Sequence, residues 1–317
     1  MSVSESVEPA TTVPGSRTER RRSGLSVAAI LAAALIWSSS FAVTKVALAE
    51  IPPMTIGALR FVLAAVILGL LVHTRRNRRL PSPRQRLRIG FAGLLGITVY
   101  FALENVGVAW ATASDATLIV AAYPIIALVL EILCGRARFS AVRFTGMLVA
   151  IAGVWLVVRG QTGGGGEHRL WGDLILLAGG VVWAVYNLVA QRDDSGASPI
   201  VITYYQTLAG AGGFALLSLF EADRWTMPSG ENLLRIGFLA ALCSVAAFLL
   251  YNHGLRRLES SVAVNLLNIV PVAGLGWAVL LAGETLELGQ VLGGAVVIAG
   301  VTLGSYRKSN THTTKDG

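Results

Sequence analysis

The sequence predicts an all-α integral membrane protein of ten transmembrane helices, arranged as two inverted five-helix repeats. Three observations predict it. Apolar residues make up 54% of the 317-residue chain and charged residues only 14%, with a mean hydropathy of +0.65, whereas a soluble domain carries about 25% charged residues. Ten apolar runs approach the ~20 residues that a bilayer-spanning helix needs. The two halves of the chain also repeat one another at a nearly constant offset.

The predicted spans are Ser26–Leu48, Pro53–His73, Ile89–Ala109, Ala113–Cys134, Val142–Val158, Leu170–Gln191, Ile200–Phe220, Leu234–Leu255, Ser260–Ala282 and Leu286–Tyr306. The first follows a polar, basic head, SRTERRRSG. That head is longer than a signal peptide's, and no small-residue cleavage site follows the apolar core, so the span is read as a retained anchor. Cys134 and Cys243 both fall inside apolar runs and read as small buried hydrophobes rather than a disulfide framework. Clusters of small residues, GFAGLLG (90–96), AGAGG (209–213) and AGLG (273–276), allow close helix approach.

The net charge of +8 is a topology signal and needs no nucleic acid. With the N-terminus in the cytoplasm, the inner segments hold 20 arginines and lysines, and the outer loops hold four, Arg159, Arg169, Arg224 and Arg235. Positive residues are retained on the cytoplasmic side, which predicts a plasma-membrane protein with both termini inside.

An offset of 146 pairs Trp37 with Trp183, Pro53 with Pro199 and Arg60 with Gln206. From the third span it becomes 147 and pairs Phe101 with Phe248, Asn105 with Asn252, Gly107 with Gly254, Pro124 with Pro271 and Gly146 with Gly293. A repeat of five spans is odd, so the second copy enters the membrane from the opposite side. The loops agree. WATAS between spans 3 and 4 has no basic residue, and its counterpart GLRRLES has two. Inverted repeats are typical of secondary transporters. The expected organisation is a basic tail (1–25), a first repeat (26–158), a Gly-rich outer linker (159–169), a second repeat (170–306) and a C-terminal tail (307–317).

Trp37 with Lys45, Arg60, ALENVGVAWATASDATLIVAAYP (102–124), GMLVAIAGV (146–154), Trp183 and GGAVVIAGV (293–301) occur in this order. In these features the chain resembles the EamA-type branch of the drug/metabolite transporter superfamily over nearly all of 26–306. The Gly-Glu that closes the fourth span of a half is present as Gly283-Glu284, while the first half reads Gly135-Arg136-Ala137. The resemblance implies ten spans, carrier activity, a lean towards export, and tryptophans that line a cavity.

The candidate substrate-binding residues are Trp37, Lys45, Arg60, Glu104, Asn105, Pro124, Trp183, Asn187, Gln206, Asn252, Asn265, Asn268 and Pro271. Trp37 and Trp183 lie near the centres of spans 1 and 6. Pro124 and Pro271 lie near the centres of spans 4 and 9, where each frees the carbonyl four residues back, on Val120 and Leu267. Paired breaks at the midplane point to a transport site, although prolines also kink helices for packing alone. Lys45 lies eight residues beyond Trp37, about 12 Å outward, and is expected to snorkel to the outer surface. Arg60 and Glu104 overlap in depth and are expected to pair, because a buried charge without a partner is costly. Two bases against one acid leave room for an anionic group such as a carboxylate, or for proton coupling through Glu104. Asn265 and Asn268 share a helix face just before Pro271, and with Asn252 they read equally as interhelical glue or as cavity lining. Asp115 and Glu131 are expected to reach the headgroups, and Trp110, Trp171 and Trp225 to anchor at the interfaces.

These features predict a secondary transporter of a small organic solute, amino-acid-like or drug-like, working by alternating access with protons as a candidate coupling ion; the family resemblance implies the direction of export. The alternatives are a membrane-embedded enzyme, and a channel or scaffold. The four histidines fall in separate segments, and neither HExxH nor a Walker A motif occurs, so no cofactor, metal or catalytic residue is predicted. A monomer and a homodimer are both open.

Overall fold

The computed structural model of the chain describes residues 17–74, 80–135, 140–159, 166–190, 195–255, 266–267 and 269–305. Among them there is helix and no strand. The helices are α1 (Arg17–Ala47), α2 (Pro53–His73), α3 (Pro83–Trp110), α4 (Ala113–Leu133), α5 (Ala141–Arg159), α6 (Gly166–Ala190), α7 (Pro199–Ser218), α8 (230–255), α9 (Ile269–Ala282) and α10 (Leu288–Ser305). Eight of these, α1 to α8, are long and apolar enough to cross a membrane, and α9 and α10 are shorter apolar helices. The protein is an all-α membrane protein.

The helix starts follow local chemistry. Pro53, Pro83 and Pro199 each open a helix, where proline's fixed φ suits the first turn and its missing N–H costs nothing. Two helices begin earlier than apolarity predicts, α3 at Pro83 rather than Ile89 and α8 at residue 230 rather than 234. The cause is capping. Ser82 and Gln85 cap one another's backbone N–H, and Ser229 Oγ accepts from Asn232 N–H, so each helix extends into polar sequence.

The main packing contacts interchange when α1–α5 are exchanged for α6–α10. α1 packs on α8 and α9, as α6 packs on α3 and α4; α2 packs on α8, as α7 packs on α3. The self-paired contacts are α2 with α7, α4 with α9 and α5 with α10. The α5–α10 seam is a backbone contact. A Cβ on Gly146 would lie 2.3 Å from Gly304 N, and one on Gly300 would lie 2.4 Å from Ala150 N. Only glycine allows that approach.

At the bundle end formed by the starts of α2, α4, α6, α8 and α10, helix termini take their caps from other helices. Glu221 accepts the Met54 and Thr55 N–H groups at 3.2 and 2.9 Å, capping α2. Glu284 accepts the Ala113 and Ser114 N–H groups at 2.6 and 2.9 Å, capping α4. Glu50 caps the start of α8, accepting from the Ser229 N–H, the Ser229 hydroxyl and the Asn232 amide. The Ser229 hydrogen bonds hold the Glu50 carboxyl below the usual carboxylate range. Each carboxylate satisfies amides that have no partner within their own helix and complements the positive end of the helix dipole.

Asp115 is corrected from a headgroup contact to a buried ion. Its side chain is fully buried, and Arg169 Nε donates to Oδ2 at 2.6 Å and Nη2 to Oδ1 at 3.1 Å. Arg169 also reaches Glu287 at 2.8 Å, and Gln290 donates to Asp115 at 2.8 Å. Two other expectations change. Cys134 is exposed while Cys243 is buried, both as free thiols, and residues 166–169 of the expected linker are helical. Trp110, Trp171 and Trp225 are exposed as anchors would be.

Removing one partner of a buried pair typically costs about 3–5 kcal/mol. Asp115→Asn and Arg169→Gln should each lower the melting temperature in detergent, and the double variant should lose less than the two losses combined. Additive losses would mean that the pair carries no coupling.

Candidate functional site

The third helix of each half contains a π-helical stretch, Leu94–Val99 in α3 and Leu239–Ala246 in α8. The two stretches lie at corresponding positions under the repeat offset. Such stretches break the regular i→i+4 ladder and are frequent at functional sites. Here they flank a cluster of polar and aromatic side chains in the middle of the bundle.

The α8 stretch holds two of the predicted residues. Trp37 donates its indole N–H to the Cys243 carbonyl at 3.0 Å, and Arg60 Nε donates to Ser244 Oγ at 2.8 Å. Trp37 packs on Phe248 and Tyr251, with ring centroids at 5.1 and 5.3 Å. Arg60 is buried, and its guanidinium carbon lies 4.7 Å from the Phe101 ring centre and 5.0 Å from that of Phe61. Cation–π contacts of this kind compensate a desolvated charge in part. Arg60 Nη1 is buried and has no hydrogen-bond partner among the described residues.

The α3 stretch runs directly into Tyr100, which donates its hydroxyl to Glu104 at 2.5 Å. Tyr100 also meets Phe101, Tyr123 and Trp183 at centroid distances of 4.7, 6.2 and 4.9 Å. Trp183 packs on Tyr186 at 5.2 Å, and Tyr186 donates to the buried Gln206 at 3.2 Å. Ring contacts and hydrogen bonds join Arg60, Phe101, Tyr100, Glu104, Trp183, Tyr186 and Gln206, and Trp37 and Arg60 meet adjacent residues of α8, Cys243 and Ser244.

Two expectations fail here. Arg60 and Glu104 do not form an ion pair; each turns to a hydroxyl on a neighbouring residue, Ser244 and Tyr100. Lys45 does not snorkel. Its Nζ donates to the carbonyls of Val108, Ala109 and Ala111 at 2.8, 3.1 and 2.5 Å. These carbonyls end α3 and lack partners within it, so the ammonium caps the helix end.

Other predicted residues lie outside the cluster or are turned from it. Asn105 donates to the Pro53 carbonyl at 2.9 Å, and Asn187 bonds back to the Trp183 carbonyl of its own helix at 3.0 Å. Pro124 is exposed and Pro271 buried, and α4 is interrupted at Ala122. The Asn252 side chain, Asn265 and Asn268 lie outside the described residues. Sequence reasoning missed Tyr100, Phe101, Tyr186 and Ser244. Tyr100 was within reach of a sequence argument, since it stands four residues before Glu104, a spacing that stacks side chains on one helix face. The π-helical stretches carry no residue signature of their own.

The family model described as the EamA-like transporter family matches residues 24–159 and again 170–306. An Archaeoglobus fulgidus protein named "Uncharacterized transporter" is 26% identical over 273 residues, covering 85% of this chain and 93% of its own length. Bacillus subtilis "Uncharacterized transporter YyaM" is 27% identical, over 87% of this chain and 92% of its own. Escherichia coli K12 "Uncharacterized inner membrane transporter YedA" is 26% identical, over 88% and 90%. One solved crystal structure superposes with a TM-score of 0.63 at 21% identity, covering 88% of this chain and 95% of that one, which shows a shared fold. These matches point to a multi-pass membrane transporter rather than an enzyme.

The Lys45 contacts predict a stability effect. Lys45→Met should remove charge-assisted bonds worth about 1.5–3 kcal/mol and lower the melting temperature. A variant that melts with the parent protein would restore the snorkelling lysine.

Proposed function

Because the chain belongs to the EamA-like transporter family, we propose that it is a secondary carrier that moves a small organic solute across the cytoplasmic membrane by alternating access, in the direction of export. Residues 26–158 and 170–306 act as two inverted repeats, with the tails 1–25 and 307–317 in the cytoplasm and the linker 159–169 outside. The interchange of packing partners between the two halves supports this organisation.

The solute binds between Trp37 and Trp183. The observation that carries this reading is Arg60 Nη1, buried without a partner beside two aromatic faces. A buried donor left unpaired costs about 1–3 kcal/mol, and an anionic group on the solute would satisfy it. Glu104 has Tyr100 as its hydrogen-bond donor and no cation within ion-pair distance among the described residues, which supports a protonatable role and coupling to protons.

The export direction draws support from the capped end of the bundle. The offset matches Lys45 with Gln191 and Glu50 with Gly196, so these two closing charges have no charged counterpart in the other half. The arginine distribution supports an outward-facing capped end. A carrier held shut on that side loads from the cytoplasm.

Counterflow in proteoliposomes, with a panel of carboxylate, amine and neutral solutes, tests the site. Arg60→Gln should raise KM for an anionic solute about ten- to a hundredfold with the fold intact. Glu104→Gln should make flux insensitive to an imposed pH gradient. Unchanged KM and unchanged pH response would move the site elsewhere. Orientation is tested separately, with cysteines placed at Gly164 and Ser82 and an impermeant thiol reagent added from outside; labelling at 82 and not at 164 would reverse the topology.

A further inference from the structure

A surface groove of about 500 Å³ runs along the outer face where α2 packs on α7. It is lined by small residues, Ala65, Gly69 and Gly212, and by Val66, Leu70 and Leu208. Val66, Leu70 and Leu208 are exposed, so this face turns to lipid. Tyr204 stands at one end of the groove, where α2 finishes and α7 begins.

That end of the groove is basic. Tyr204 packs on Tyr205 with ring centroids 5.2 Å apart, and the Arg86 guanidinium lies 5.4 Å over the Tyr205 ring. The exposed His73 ring is edge-on to Tyr204 at 6.0 Å. Arg84, Arg86 and Arg88 are exposed on the first turns of α3. On α3, Leu87 and Phe91 are exposed among these arginines, an arrangement that seats apolar side chains in acyl chains and cations among headgroups.

The geometry points to a binding site for an anionic phospholipid, with one acyl chain lying in the α2–α7 groove and the phosphate held by Arg86, flanked by Arg84 and Arg88 on the same helix start. Basic residues next to a membrane helix attract anionic lipid headgroups generally. What this site adds is an apolar groove that ends at Tyr204, whose neighbour Tyr205 carries the Arg86 guanidinium. Retention of arginine on one side of the membrane orients the chain, but it requires neither the groove nor the aromatic step from Tyr204 to Arg86. The inference goes beyond the transport reading and does not depend on it.

Gly212 supplies the test. It lines the groove, yet a Cβ built on it meets nothing within 4 Å. Gly212→Leu therefore adds bulk to the groove lining without a clash at its Cβ, and it replaces a poor helix former with a good one. The full chain is purified in detergent, and phosphatidylglycerol or phosphatidylcholine is added. Retained lipid is counted by native mass spectrometry, and thermal unfolding is followed in parallel. The parent protein should retain phosphatidylglycerol over phosphatidylcholine and melt higher with the former. Gly212→Leu should lose that retained lipid and the accompanying rise, while melting with the parent when no lipid is added. Arg86→Gln leaves the groove open and should lose the preference between the two headgroups. Phosphatidylglycerol retained by Gly212→Leu as by the parent would overturn the site, and equal retention of both lipids by the parent would overturn its headgroup selectivity.

Discussion

Three helices at one end of this bundle cannot complete themselves. α2, α4 and α8 each begin with amides that have no partner in their own helix, and the carboxylates that accept them belong to other segments: Glu221 after α7, Glu284 after α9 and Glu50 after α1. Lys45 of α1 does the same for the carbonyls that finish α3. In water such groups would find solvent, whereas near hydrocarbon an unsatisfied backbone group costs several kcal/mol. Closing this end and finishing these helices are therefore one event. Parting the segments exposes amides, carbonyls and the charges that served them together. A lost cap costs about 0.5–2 kcal/mol, so four caps amount to a sizeable share of the ~5–15 kcal/mol that holds a typical domain folded. The Asp115–Arg169–Glu287 network ties α4, α6 and the start of α10 at the same level.

Elsewhere the helices are held by shape. The α5–α10 seam brings backbone against backbone at Gly146, Gly300 and Gly304. It tolerates no added methyl at Gly146 or Gly300. Packed surfaces of this kind respond to strain as a unit rather than by gradual deformation. The interfaces around Trp37, Arg60 and Trp183 differ. They are made of rings, hydroxyls and π-helical turns, in which a hydrogen bond can change partner at modest cost.

The bilayer explains which parts of this architecture were legible in the sequence. It demands long apolar runs and sorts arginines between its faces, so the spans and the duplication could be read directly. Helical rise gives depth, which placed Arg60 and Glu104 at one level. Depth does not give the direction in which a side chain points. That direction follows from which helices pack together, so Arg60 turned to Ser244 and Glu104 to Tyr100. Lys45 and Asp115 were misread for a related reason. Both stand near a span end, and proximity to water suggested exposure. The end of α3 and the start of α6 stand there too, offering carbonyls to one and a guanidinium to the other. Capping likewise carried α3 and α8 past the point where apolarity faded. The π-helical stretches were illegible because no residue type encodes them.

The duplicated scaffold does not make duplicated half-sites. Arg60 corresponds to Gln206, and Glu104 to Tyr251. In the structure Gln206 takes the hydroxyl of Tyr186, while Arg60 donates to Ser244. Trp37 packs against Phe248 and Tyr251 of α8, and Trp183 packs against Tyr100 on α3, one turn before Glu104. Each tryptophan thus meets the third helix of the opposite half, but one meets a neutral aromatic wall and the other a tyrosine whose hydroxyl is bonded to a carboxylate. A solute lying between them on the proposed reading meets two unlike surfaces, and reversing it would leave a buried cation facing the wrong group. Unpaired burial of charge is costly enough to select one orientation. Duplication supplies the paired π-helical stretches and the pseudo-symmetric packing; the residues that differ between the copies supply the polarity of the site.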